Sequence, residues 1–405
     1  MGLIEVLGFG VVVLLAMALL HGYLWWRLVR GTTRPGRARR RLTLLTVVLA
    51  LLPALAVVLR GRLPTGVAAP LGWVGFIWLG LAFYLFLAVL ATEPIRVALR
   101  LFRRSRDEAD ADADRAAAER AAVLSRRRFL AVAAGAVAVG VAGTGVAYAN
   151  SAPVVRRVPV RIPRLDPALA GLRIVTFSDG HLSATYGGRR FERLVETVNA
   201  QRPDVVAIVG DLVDGDVDEL REDAAPLADL VSEQGVFFVT GNHEYFVDTT
   251  GWLRHLPTLG VDVLRNERVP IRRGGASFDL AGIDDRTAAA SGLPGHGADL
   301  DAALDGRDDD VPVVLLAHQP VMVEQARSAG VDLQLSGHTH GGQLWPFDYA
   351  ILLDQPVVEG WSQQGDTQLY VTAGAGYWGP PMRVGARPEV TVIELQPGAP
   401  TRPPR

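Results

Sequence analysis

The sequence has no cysteine and no lysine among its 405 residues. Without thiols there is no disulfide, no zinc–thiolate site and no cysteine nucleophile. Catalysis would have to use His, Asp, Glu, Ser or a bound metal. All 41 basic residues are arginine, and this arginine- and alanine-rich, lysine-free composition points to a GC-rich bacterial genome. The net charge of −2 conceals a split, because residues 1–149 carry +11 and the remainder carries −13. The acidic remainder lacks the basic footprint that nucleic-acid binding needs, so no nucleic-acid partner is expected. No internal repeat of solenoid period is present. At about 150 residues per domain, the length predicts two or three units.

The first part holds long apolar runs. Four of them, at about 3–26, 42–59, 71–91 and 129–149, are long enough to cross a bilayer as helices. Trp25, Trp26, Trp73 and Trp78 suit the aromatic belts at the two interfaces, and His21 sits near a span end. The loops after the first and third runs are dense in arginine, whereas the loop after the second has only Arg60 and Arg62. Positive loops stay in the cytoplasm, which places both the N-terminus and everything after Ala149 outside. Ser125-Arg126-Arg127-Arg128-Phe129-Leu130 resembles an internal twin-arginine export motif, and Ala147-Tyr148-Ala149 a signal-peptidase site. The expected organisation is a membrane domain over 1–150, a proline-rich extended linker over 151–170, a catalytic domain over 171–397 and a disordered tail over 398–405. The expected location is the bacterial cytoplasmic membrane, multi-pass, with the catalytic domain extracytoplasmic and the lipid bilayer as a partner.

From Leu172 onward, short apolar strands alternate with helical spacing, which predicts an α/β layered fold. Polar clusters follow the strands: Asp179-Gly180-His181, Gly210-Asp211, Gly241-Asn242-His243-Glu244, His318 and Gly337-His338-Thr339-His340. Ligands in open α/β sheets bind at the carboxyl ends of strands. Of the eight histidines, five lie in these clusters. One histidine after a strand is ordinarily a packed structural residue, but five strand ends carrying Asp, His and Asn together call for a cation. Carboxylate, imidazole and amide donors suit Mn, Fe or Zn, and their number exceeds what one ion needs. Two divalent ions sharing a bridging carboxylate would use them all and would produce hydroxide near neutral pH.

Those blocks, in that order, resemble the calcineurin-like metallophosphoesterase superfamily. The residues following the last pair, Gly341-Gly342-Gln343, are similar to a membrane-associated or twin-arginine-exported phosphodiesterase subgroup. The resemblance implies a four-layer α/β/β/α sandwich, here preceded by four transmembrane helices. It implies that Asp179, His181 and His340 bind one metal, that Asp211 bridges, and that Asn242, His318 and His338 bind the second. His243 would assist the leaving group. Asp214 is either a solvated turn residue or a support for the ligands. Arg383 either contacts a substrate phosphate through its planar fork or forms a surface ion pair. The expected function is hydrolysis of a phosphodiester by metal-bound hydroxide, with lipid-linked or cell-envelope phosphoesters as candidate substrates. A phosphomonoesterase and a non-catalytic sensor or scaffold are the alternatives.

Overall fold

The computed structural model describes residues 3–59, 65–104 and 113–402. The chain divides into two compact units, Met1–Ala147 and Tyr148–Arg405.

The first unit is helical: α1 (Leu3–Leu24), α2 (Arg37–Leu59), α3 (Thr65–Ala91), α4 (Glu93–Arg104) and α5 (Ala113–Ala149). Four segments are long and apolar enough to cross a membrane, Val11–Arg30, Arg37–Leu59, Val67–Ala98 and Val123–Ala149, and each contains or overlaps one expected span. Val12, Leu15, Leu44, Val48, Val74, Val132 and Val137 are all exposed. Helices with apolar side chains on every side need an apolar solvent. His21 does not reach outward as its position near a span end implied. It is buried, and its Nε2 accepts from Trp78 Nε1 at 3.0 Å, which satisfies the imidazole inside the unit. The Arg126–Arg128 cluster lies inside α5, which extends well before the apolar run.

The second unit contains two six-stranded sheets. The first runs β1 (Val154–Ile162), β12 (Glu389–Pro397), β2 (Arg173–Phe177), β3 (Val205–Val209), β4 (Val236–Val239), β5 (Asp262–Val263). The second runs β10 (Gly360–Gln364), β11 (Thr367–Val371), β9 (Leu333–Ser336), β8 (Val313–Leu316), β7 (Ala276–Gly282), β6 (Glu267–Arg273). Strands β2, β3 and β4 are parallel, as are β7, β8, β9 and β11. Period-two alternation sorts the side chains of β3. Val205, Ala207 and Val209 meet the other sheet, where Phe278, Leu280, Leu316 and Leu335 pack. Val206 and Ile208 face α6 (Gly188–Asn199), α7 (Val217–Ala224) and α8 (Thr249–His255), meeting Phe191, Leu194, Leu220 and Trp252. Val313 and Leu315 pack on α9 (Leu300–Leu304) and α10 (Val323–Ser328). Helix, sheet, sheet, helix is the expected four-layer order. Burying each of these large apolar side chains contributes roughly 1.5–3 kcal/mol.

The segment 151–170 is not the linker expected from its prolines. Val154–Ile162 pairs in parallel register with the whole of β12, burying Val158, Val160 and Ile162 while Arg157 and Arg161 face out. Pro159 is tolerated because β1 is an edge strand and only one side of it must pair. Helix α7 ends at Ala224, just before Pro226, and closes in a tight turn at Ala225–Asp229. Of the tail expected to be disordered, Gly398 donates to the Ile162 carbonyl at 3.2 Å, and residues 403–405 lie outside the described residues.

Candidate metal centre

Five strands deliver the site. β2 ends at Ser178-Asp179 and leads to His181; β3 leads to Asp211 and Asp214; β4 to Asn242, His243 and Glu244; β8 to His318; β9 to His338 and His340. All are parallel strands, so their carboxyl ends gather at one edge of the two sheets. Backbone bonds fasten the loops together: Asp179 N to Gly210 O (3.0 Å), His181 N to Asp211 O (3.1 Å) and Gly337 N to His318 O (2.9 Å). His338 N donates to Asp179 Oδ1 at 3.0 Å, tying the second sheet to the first.

The turns are strained. Eight described non-glycine residues have positive φ, and five of them are Asp179, His181, Asp211, His338 and His340. Each left-handed residue of this kind costs on the order of 1–3 kcal/mol, so the surrounding bonds must hold it. Gly210 adopts φ +77° without that cost. At Gly241 the reason is space, because a Cβ there would collide with the Asp211 carboxylate.

Asp179, His181 and His340 bring one ligand atom each within 4.8 Å of one another, and so do Asp211, His318 and His338. His181, Asp211 and His243 form a third such group that overlaps the first two. His181 Nε2 lies 2.9 Å from His340 Nε2, and His340 Nε2 3.3 Å from Asp179 Oδ1. Asp211 Oδ2 is 3.1 Å from His318 Nε2 and 3.9 Å from His181 Nε2, so it faces both sets. Asp179, His181, Asp211, His318 and His340 are all buried.

A cation fits these residues. Asn242 Oδ1 is buried and has no hydrogen-bond partner, and His318 Nε2 likewise lacks bonding geometry despite its nearness to Asp211. Leaving such atoms without a partner costs about 1–3 kcal/mol each. Burial and the neighbouring His318 push the His338 imidazole down to about 3, and burial with His181 holds His340 well below the ordinary histidine range. Both rings are therefore neutral and keep a lone pair for a metal. His318 donates its Nδ1 hydrogen to the Val209 carbonyl at 2.7 Å, which leaves Nε2 facing the centre. Asp211 is fully buried, which opposes its ionisation, but His318 and His243 outweigh this and hold it well below the usual carboxylate range.

Asp214 is not a solvated turn residue; it is bonded to two imidazoles of the site. Its Oδ1 accepts from His181 Nδ1 at 2.8 Å and from His243 Nδ1 at 2.7 Å. Burial resists its ionisation, yet the two imidazoles win and its carboxyl lies well below the usual range. Burial also works against a charge on His243, but Asp211 and Asp214 raise it to about 9, so it carries a proton at neutral pH. His243 is angled edge-on to Phe246 and Trp378, with ring centroids at 5.3 and 5.5 Å.

Two residues depart from the sequence reading. Arg383 is fully buried, and its guanidinium donates to the carbonyls of Gly376 (2.8 Å), Ala373 (2.8 Å), Gly374 (3.1 Å) and His340 (3.1 Å). Its fork is occupied by backbone, so it braces the His340 loop and does not offer itself to a substrate phosphate. Burial lowers it to about 10. Glu244 was given no role, yet its carboxylate accepts from the backbone N–H of Asp211 (3.0 Å), Leu212 (2.8 Å), Val213 (3.3 Å) and Gly241 (2.6 Å). It fastens the β3 and β4 loops together. The sequence signal was an acidic residue directly after an Asn-His pair, among backbone groups that a tight turn leaves unpaired.

A sequence model of the calcineurin-like phosphoesterases matches residues 172–342. The chain is 43% identical over 262 residues to a bovine (Bos taurus) transmembrane protein with metallophosphoesterase domain, covering 62% of this chain and 59% of that protein. A Helicobacter pylori uncharacterized metallophosphoesterase is 37% identical over 247 residues, covering 60% of this chain and 64% of that protein. The uncharacterized metallophosphoesterase YkuE of Bacillus subtilis is 31% identical over 287 residues, covering 67% of this chain and 98% of that protein. The chain thus spans about three fifths of the length of the bovine relative and nearly all of the Bacillus one. With a family match over residues 172–342, which include the span from Asp179 to His340, and the Bacillus relative covered almost entirely, the chain belongs to the calcineurin-like metallophosphoesterase family.

Proposed function

We propose that this protein is a membrane-tethered phosphoesterase with a pair of divalent ions, Mn, Fe or Zn, that hydrolyses a phosphodiester. The observation that carries the reading is the placement of Asp211 between two donor sets, the buried Asp179/His181/His340 and the pair of buried His318 and half-buried His338. In this assignment Asp179, His181 and His340 hold one ion, Asn242, His318 and His338 the other, and Asp211 serves both. Divalent ions held there would supply positive charge to acidify a water and screen the phosphate oxygens. The chain's own residues do the rest. Asp214 fixes the His181 ring so that Nε2 points inward, and Glu244 accepts from the backbone N–H of both Asp211 and Gly241, the residue before Asn242. His243 carries a proton near the rim, where it can be passed to the departing alkoxide as the P–O bond breaks.

The arginine-rich loops at Arg27–Arg41 and Arg96–Arg128 support a bacterial inner-membrane orientation with the α/β unit extracytoplasmic. The test uses the full chain, purified in detergent and loaded with Mn²⁺. A bis-aryl phosphodiester should be hydrolysed faster than the matching monoester, and chelation should abolish turnover. H243A should keep its metal and lose about 10²–10⁴-fold in turnover. Faster cleavage of the monoester would make the protein a phosphomonoesterase. Bound metal with no turnover of either would make it a sensor or scaffold.

A further inference from the structure

The α/β unit buries its large apolar side chains almost everywhere, with one concentrated exception. Trp345, Phe347, Tyr349, Leu352 and Leu353 are all exposed within a nine-residue stretch, Leu353 to 90%. Between Leu344 and Leu353 the only charged residue is Asp348. This stretch directly follows the ligand-bearing loop of His338 and His340. It is also joined to the mouth of the metal centre. Gln343 donates to the Trp378 carbonyl at 2.9 Å and accepts from Trp378 N–H at 3.0 Å, and Trp345 N donates to Val384 O at 2.8 Å. Trp378 and Phe246, both exposed, flank His243. The rim thus comprises Phe246 and Trp378 beside His243 and the exposed stretch Trp345–Leu353, joined to Trp378 through Gln343. Patches of this kind on a soluble face mark an interaction surface.

The partner is indicated by the residue types and by the rest of the chain. Trp and Tyr pair an apolar body with a polar tip, the chemistry that concentrates at the boundary of a bilayer. The same polypeptide carries four helices that can cross a membrane, so a lipid surface is always within reach of this unit at high effective concentration. We propose that the rim seats on a lipid bilayer surface, so that the metal centre acts on phosphoesters presented there by amphiphiles whose tails remain in the membrane. The substrate half of this proposal rests on the hydrolase reading above; the docking half does not.

The absence of cysteine makes the test direct, because one introduced thiol is labelled uniquely. The full chain carrying L353C is labelled with an environment-sensitive fluorophore and placed in phosphatidylcholine nanodiscs containing spin-labelled quencher lipids. D308C, at an exposed acidic position in the same unit, is the reference. At least threefold stronger quenching at position 353 is expected. Equal quenching at the two positions overturns the docking. So does a signal at 353 that appears only in discs holding two copies, which assigns the rim to contact between chains. For the substrate, F347D/L353D should lower the ratio of turnover on a phospholipid diester in the disc to turnover on soluble bis-p-nitrophenyl phosphate at least tenfold, and an unchanged ratio overturns that half. If the parent chain cleaves neither compound, the hydrolase reading fails and with it the substrate half, while quenching still decides the docking.

Discussion

The two units solve the same problem in opposite ways. In the helical unit Val12, Leu44, Val48 and Val137 face outward, and polar contacts such as His21–Trp78 and the Arg27–Glu93 ion pair are turned inward. In the α/β unit Val206, Ile208, Leu280 and Leu316 are sealed inside, and buried polar groups cluster at the strand ends. The solvent each unit is built for explains the reversal, since an apolar side chain gains by leaving water but gains nothing by leaving lipid. The strand-end edge fits neither scheme. It buries Asp179, Asp211, His318 and His340 together, at a cost that a bound cation would offset.

The contrast can be broken at several points. Asp211→Ala should have the largest effect: metal content collapses and hydrolysis falls by at least about 10³-fold, checked by elemental analysis and phosphodiester turnover. Next, Ile208→Ala in the buried face of β3 should cost about 2–5 kcal/mol in denaturant unfolding of the α/β unit. Val48→Ala on the outward face of α2 should change stability in lipid by less than about 1 kcal/mol, and an equal loss at both sites would remove the distinction between the units. Arg383→Gln should lower thermal stability by roughly 2–3 kcal/mol, since the carbonyls of Ala373, Gly374 and Gly376 lose a buried donor. Its KM for phosphodiester should not rise selectively; a rise in KM at unchanged stability would return Arg383 to the substrate. Glu244→Gln should act more mildly, weakening metal affinity about 10–100-fold because an amide replaces a carboxylate that four backbone N–H groups share.

The sequence made some of this legible and concealed the rest for physical reasons. The apolar runs announced the helices because a span needs uninterrupted hydrophobicity. The strands β2, β3, β4, β8 and β9 were readable because they are buried on both faces, and the polar clusters were readable because they end those strands. The edge strand β1 was hidden by Pro159 and the prolines flanking it, which matter less where one side needs no partner. Arg383 was misread because a guanidinium binds backbone carbonyls as well as phosphate, and only the fold reveals which it meets. Asp214 and Glu244 became informative only once the two loops they join were seen side by side.

The most direct test is where metal sits in the full chain. Crystals or particles of the Mn²⁺-loaded protein, with element-specific anomalous scattering, should show two peaks about 3.5–4 Å apart. One should lie among Asp179, His181 and His340, the other among Asn242, His318 and His338, with Asp211 touching both. A single peak away from Asp211, or none at saturating metal, would contradict the account.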